Sequence, residues 1–118
     1  PERGQNKGME RFRPFLGKKF NLERIKNAEG LKAYHVTCTY LPDPPADFDE
    51  FEFRTGFSDS KDLVITLAVE RGEVKRVMFG LAGEEDPEEI RSLPKEQLES
   101  FLSRRGGQIE DFLAYITG

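Results

Sequence analysis

The sequence has a single cysteine, Cys38, a single histidine, His35, and no tryptophan. One cysteine excludes a disulfide within the chain, so no covalent cross-link can hold this fold. One histidine without further cysteines does not supply the ligands of an ordinary zinc site. We therefore expect a domain held by its own core, with no metal and no cofactor, in a reducing compartment such as the cytoplasm.

Apolar runs are short throughout the chain. No stretch approaches the roughly eighteen apolar residues of a membrane span, and the N-terminus has no apolar segment of the signal-peptide kind. The sequence therefore predicts no membrane partner. Because the chain starts at Pro1 and its first methionine is Met9, we expect residues 1–8 to be a flexible tail or an added remnant. Residues 9–118 are predicted to form one domain.

Basic residues are concentrated at the start of the chain. Residues 1–26 carry eight Lys or Arg and three acids, net +5, whereas residues 27–118 carry ten basic residues and nineteen acids, net −9. This asymmetry is typical of an arm for an acidic partner, or of a basic segment that lies on the protein's own acidic face. The candidate binding residues of this segment are Arg11, Arg13, Lys18, Lys19, Arg24 and Lys26. Phe12, Phe15 and Phe20 lie between them, which favours packing of the segment on the domain.

Alternating apolar and polar residues over 34–40 and 51–57 predict two half-buried strands. Residues 63–81 alternate in the same way on both sides of a glycine turn, which is typical of a hairpin. A polar face on each strand indicates an antiparallel sheet that is solvated on one side, because parallel sheets are covered on both.

Two local alternatives stay open in the sequence. A three-residue loop in the hairpin would place Ile65 opposite Val77, and we prefer it to a two-residue Arg71–Gly72 loop because it gathers apolar side chains on one face. Residues 20–26 form either a short helix capped by Asn21 or an edge strand, and the strand is the preferred interpretation.

The last third of the chain changes to a helical period. Asp86 as N-cap and Pro87 at the first helical position predict a short helix. Residues 95–104 and 109–116 predict two further helices, separated by the pair Gly106–Gly107. The predicted fold class is α+β: an antiparallel sheet of four to five strands, with C-terminal helices and the N-terminal aromatic and basic segment packed on one face.

Groups that could carry chemistry are few, and catalytic motifs and phosphate-binding loops are missing from the sequence. Cys38 and His35 are three residues apart on a predicted strand, so their side chains point to opposite faces and cannot act as nucleophile and base there. Acids crowd the proline-rich loop 41–47, but their spacing matches no calcium loop. Asp43 and Asp47 of this loop are retained as candidate residues for contact with a partner.

Three functional hypotheses follow. The first is a small non-enzymatic interaction or adaptor domain that binds another protein or a second copy of itself, through the acidic sheet face, the proline-rich loop or an exposed edge strand. The alternative is binding of nucleic acid or another polyanion by the basic segment. The second alternative is a small enzyme or ligand-binding cup, with candidate groups Glu50, Glu52, His35 and Tyr34.

Overall fold

Five antiparallel strands, arranged in the order in which the chain reaches them, form one sheet in a computed structural model that describes residues 9–56, 63–83, 85–86 and 89–118. The strands are β1 (Val36–Tyr40), β2 (Phe48–Thr55), β3 (Leu63–Glu70), β4 (Glu73–Ala82) and β5 (Ile90–Ser92). The helices are a 3₁₀ helix (Met9–Phe15), α1 (Leu22–Lys26) and α2 (Ala28–Lys32) before the sheet, and α3 (Lys95–Thr117) after it. The predicted α+β class is confirmed. The residues of the sequence predictions that lie outside the described ranges are 1–8, Phe57 and Pro87.

One face of the sheet packs against α3. In β2, Phe51 and Phe53 are buried, whereas Glu52 between them is partly exposed on the opposite face. Phe112 of α3 meets Phe53 edge to face, with ring centres 5.1 Å apart. The buried core also includes Phe12 of the 3₁₀ helix. Because each such side chain stabilises the fold by roughly 1.5–3 kcal/mol when buried, sheet and helices hold one another.

The C-terminal third forms one helix, so the predicted break at Gly106–Gly107 is wrong. Helix α3 runs for 23 residues, and neither glycine has a positive φ. Leu102 and Ile109, on either side of the pair, are buried, and this burial outweighs the helix-propensity cost of about 1 kcal/mol for each glycine. Gly106 must also be small, because a Cβ there would lie 1.8 Å from Nη1 of Arg11, which crosses the helix at this point.

Residues Ile90–Ser92 form strand β5, so the helix predicted to start at Asp86 is wrong. The strand extends the sheet by pairing with β4, where Gly80 faces Ser92 and Ala82 faces Ile90. Gly80 permits this close approach, because a Cβ there would stand 2.8 Å from the Arg91 carbonyl oxygen. Acids and a proline resemble a helix start, but the open side of β4 offers Ile90–Ser92 a backbone partner.

The β3–β4 hairpin closes with the two-residue turn Arg71–Gly72, so the preferred three-residue loop is wrong. Both residues have positive φ, 54° and 81°, as a type I′ turn requires. Lys75 has no partner across the ladder, and this bulge shifts the register by one residue, so that Ile65 faces Phe79 and not the expected Val77; without the bulge, the two-residue turn would place Met78 there. The bulge places apolar side chains of β3 opposite apolar side chains of β4, an arrangement that the sequence predicted only for a longer loop.

Residues 22–26 form helix α1, so the preferred edge strand is wrong and the alternative with Asn21 as N-cap is confirmed. The Asn21 Oδ1 atom accepts a hydrogen bond from the Arg24 N–H at 3.3 Å, which satisfies one of the free donors at the helix start. Extended pairing occurs just before the helix, where Lys19 forms an isolated bridge with Glu73 at the start of β4.

Candidate functional site

Two of the six candidate basic residues are bound to the protein's own C-terminal helix. Arg11 Nε lies 2.5 Å from Glu110 Oε2, and Arg11 Nη1 donates to the Leu102 carbonyl at 2.8 Å. Arg24 donates to the Tyr115 carbonyl at 2.7 Å, and its guanidinium lies 5.0 Å from the centre of the Tyr115 ring. These contacts engage two of the charges that the polyanion hypothesis requires.

The other four candidate basic residues are exposed on several elements. Arg13 belongs to the 3₁₀ helix, and Lys18 and Lys19 follow it; the Lys18 ammonium lies 5.7 Å from the centre of the Phe15 ring. Lys26 ends α1 and lines a groove beside β1. The basic segment is therefore divided: two residues contact the domain's own helix, one makes a cation–π contact, one lines the groove, and Arg13 and Lys19 are exposed at the surface.

Asp43 and Asp47 are exposed in the loop that joins β1 to β2. The Asp47 carbonyl accepts a hydrogen bond from the Arg71 N–H at 2.8 Å, which ties the loop to the β3–β4 turn. Within the described ranges, no group of three or more His, Cys, Asp or Glu side chains could hold a metal ion. The role of these two aspartates in partner contact stays a prediction.

The side chains of the enzyme hypothesis lie at different places on the sheet. Tyr34 and His35 belong to the turn before β1, not to the strand in which they were predicted. Glu52 pairs opposite Tyr40, at the other end of β1, and Glu50 lies farther along β2 in the same direction. The two acids are therefore separated from Tyr34 and His35 by the length of the strand.

Strand β1 forms one edge of the sheet, and no strand among the described residues pairs with its outer side. The His35 carbonyl accepts a hydrogen bond from the Gly56 N–H, on the side facing β2. Because bonded and non-bonded pairs alternate along antiparallel strands, the backbone N–H and C=O groups of Val36 and Cys38 point away from β2. These four groups are the positions at which a further strand would pair.

The β1 edge lacks the charges and prolines that protect many edge strands. Its residues Val-Thr-Cys-Thr-Tyr include neither, and the register is regular from Val36 to Cys38, with one irregularity between Cys38 and Tyr40 at the far end of the strand. The opposite edge, β5, is three residues long and carries Arg91, whose Nε lies 2.7 Å from Glu89 Oε1. Short strands and charged side chains discourage added strands. They are present at β5 and missing from β1.

A groove of about 560 Å³ lies between β1 and the helices α1 and α2. On the helix side its apolar lining comes from Ile25, Ala28 and Leu31, and Leu41 closes it beyond the strand. Volumes of roughly 300–1,000 Å³ are typical of sites that enclose small ligands, so this groove has room for more than one side chain. Its charged lining residues are Lys26, Glu29 and Lys32.

Tyr115 of α3 positions the helical wall of the groove. Its ring lies 4.9 Å from that of Tyr34, in the turn that leads into β1. A Cβ on Gly30 would stand 2.1 Å from the Tyr115 hydroxyl, so only glycine lets α2 approach the ring this closely. With the Arg24 contacts described above, Tyr115 fixes both short helices beside the strand.

Cys38 is half buried in the strand side of the groove. Burial raises the pKa of its thiol above the ordinary value and outweighs the hydrogen bond that the thiol donates to the Tyr40 carbonyl at 3.4 Å, which lowers the pKa; the Glu52 carboxylate adds a smaller increase. The thiolate is the reactive form of cysteine, so this thiol is a weak nucleophile at neutral pH. In the groove it serves as a small apolar surface, as predicted for a cysteine among apolar neighbours.

Sequence reasoning identified Lys26 and the possibility of an exposed edge strand, but it missed Lys32 and the apolar lining. The signal for the edge that the sequence offered was the absence of charged residues from Val36–Tyr40. Alternation of apolar and polar residues does not show whether a strand lies at the edge or in the interior of a sheet. Comparisons with protein-family models, with curated proteins and with solved structures found no match to this chain. In the described parts of the chain, no helix combines the length and the apolar character needed to cross a membrane.

Proposed function

We propose that this chain is a non-enzymatic protein-interaction domain that takes up an extended segment of a partner as an added strand along the outer side of β1. The observation that supports this most is the charge-free edge of β1, with the outward backbone groups of Val36 and Cys38 beside an apolar groove. Addition of a strand gives affinity through main-chain hydrogen bonds and specificity through pockets for alternate side chains.

The edge of β1 and the groove beside it could both contact the same added strand. Residues of an added strand that face Val36 and Cys38 project their side chains to the same side of the sheet as those two residues. Val36 is buried on the core side and Cys38 lines the groove. Every second side chain of the partner would therefore enter the groove beside Val36 and Cys38, while the side chains between them would lie on the side of the exposed Thr37, which also borders the groove.

The test uses peptides of about eight residues, the length of a typical strand with its flanks, selected from a random display library against the intact chain. Cys38→Pro removes an outward N–H without removing a bond to β2, since proline is tolerated at an edge position of this kind. We expect it to weaken peptide binding about tenfold or more. Cys38→Ala, which keeps the N–H and removes the thiol, is the matched control and should bind within about twofold of the parent.

Fluorescence anisotropy gives the affinities, and circular dichroism checks that both variants fold. If the selected peptides bind Cys38→Pro as tightly as the parent chain, the added-strand function is wrong. Recovery of no peptide at all from the selection would also count against it.

A further inference from the structure

We infer that the partner segment alternates apolar residues with at least one Asp or Glu, and that its carboxylate pairs with Lys26 or Lys32 at the rim of the groove. This rests on the proposed strand addition at β1 and adds the chemistry of the partner. Lys26 ends α1 and Lys32 ends α2, and both are exposed at the groove.

The charge of the groove lining is opposite in sign to the net charge of the chain. Two lysines and one glutamate, Glu29, line the groove, so the lining carries net +1, whereas the whole chain carries −4. At physiological ionic strength, charges farther away than about 8 Å are largely screened. The two lysines of the lining therefore attract an acidic segment to the groove in spite of the acidic body; Glu52, whose carboxylate acts on the Cys38 thiol, is not part of the lining.

A different protein is a better occupant than a second copy of this chain. Two copies that paired their β1 strands around a two-fold axis would present the same patch to each other. Lys26 and Lys32 of both copies would then lie at one interface, where like charges oppose association. An acidic and apolar segment of another protein meets no such repulsion.

The experiment compares three forms of one selected peptide: the acidic form, its amide isostere with Gln or Asn, and a form with Lys at the same position. Against the parent chain we expect the acidic form to bind best, with an affinity that falls as salt increases. In the double variant Lys26→Glu/Lys32→Glu the order of the acidic and lysine forms should reverse, with about a tenfold loss for the acidic form.

Lys75→Glu/Lys95→Glu is the matched control, because it changes the net charge equally at exposed positions outside the groove. It should leave the order of the three peptides unchanged. Sedimentation velocity of the peptide-free chain adds the oligomeric state.

Three results would overturn the inference, each in a distinguishable way. The partner chemistry is wrong, and the added-strand function stands, if Cys38→Pro still weakens binding about tenfold or more but one of two results is found. Either the selected peptides lack acids, or the acidic and lysine peptides keep the same order of affinity in Lys26→Glu/Lys32→Glu. If Cys38→Pro leaves the affinity for the peptides unchanged, the proposed function itself is wrong. A concentration-dependent dimer that Cys38→Pro dissociates would make a second copy the occupant.

Discussion

Adjacent glycines in the middle of α3 give opposite expectations for the same substitution. A Cβ on Gly107 would meet nothing within 4 Å, whereas a Cβ on Gly106 would lie 1.8 Å from Arg11 Nη1 and 2.4 Å from Arg11 Cζ. Alanine is favoured over glycine in a helix interior by about 0.8–1.0 kcal/mol. We therefore expect Gly107→Ala to raise the free energy of unfolding by about 1 kcal/mol, and Gly106→Ala to fail to do so.

The penalty at Gly106 can be worked out from the contacts of Arg11. The guanidinium must leave its place over the helix, which breaks its hydrogen bond to the Leu102 carbonyl, worth about 1 kcal/mol. It also breaks the ion pair with Glu110; both side chains are more than one-third exposed, so this loss is about 0.5 kcal/mol or less. Both substitutions gain the same helix propensity, so Gly106→Ala should end about 1–1.5 kcal/mol less stable than Gly107→Ala.

Urea unfolding measures the difference as a shift of midpoint at an unchanged slope. Arg11→Ala completes the design: in that background the two glycine substitutions should stabilise the chain equally, within about 0.5 kcal/mol. Equal stabilisation in the parent chain would refute the placement of Arg11 across Gly106. Destabilisation by Gly107→Ala would mean that the helix ends there, which would refute a continuous α3.

Two further predictions concern the turn and the cysteine. Arg71→Asn should stabilise the chain by about 0.5–1 kcal/mol in the same assay, because Arg71 has φ 54° and asparagine is favoured there in a type I′ turn; Arg76→Asn, in strand β4 beside the bulge and without a positive φ, should not stabilise it. Alkylation of Cys38 should show its pH midpoint at a higher pH in the folded chain than in the urea-unfolded chain, because burial raises the pKa of the thiol. The protonated thiol then favours the folded state below the pKa of the unfolded thiol, and that contribution is lost as the pH rises through the folded pKa; equal midpoints would contradict the burial of Cys38.

The strands were predictable because a half-buried sheet imposes a period of two on the sequence, as Phe51 and Phe53 show against Glu52. The continuity of α3 was not predictable, because the adjacent glycines Gly106 and Gly107 are locally typical of a helix end. What holds the helix together there is burial of residues on both sides and the crossing of Arg11, which comes from the other end of the chain. Local propensity cannot report a contact between residues so distant in sequence.

The groove was only partly predictable for a similar reason. Lys26 was among the candidate residues because it belongs to the basic segment, whereas Lys32 was not. Both belong to five-residue helices, too short to be stable alone. Their position beside β1 depends on packing against Tyr115, about 90 residues away along the chain, as in the Arg24–Tyr115 bond. Sequence patterns within a window do not contain that information.

The order of the strands also bears on how the chain folds. Every strand pairs with its neighbour in sequence, so the sheet can assemble by closing short loops one after another. The contacts of Arg11 and Arg24 with α3 instead join residues 91 to 99 positions apart, and closing so long a loop costs more chain entropy. We therefore expect the sheet to form before the N-terminal helices join α3, a step that also completes the wall of the groove.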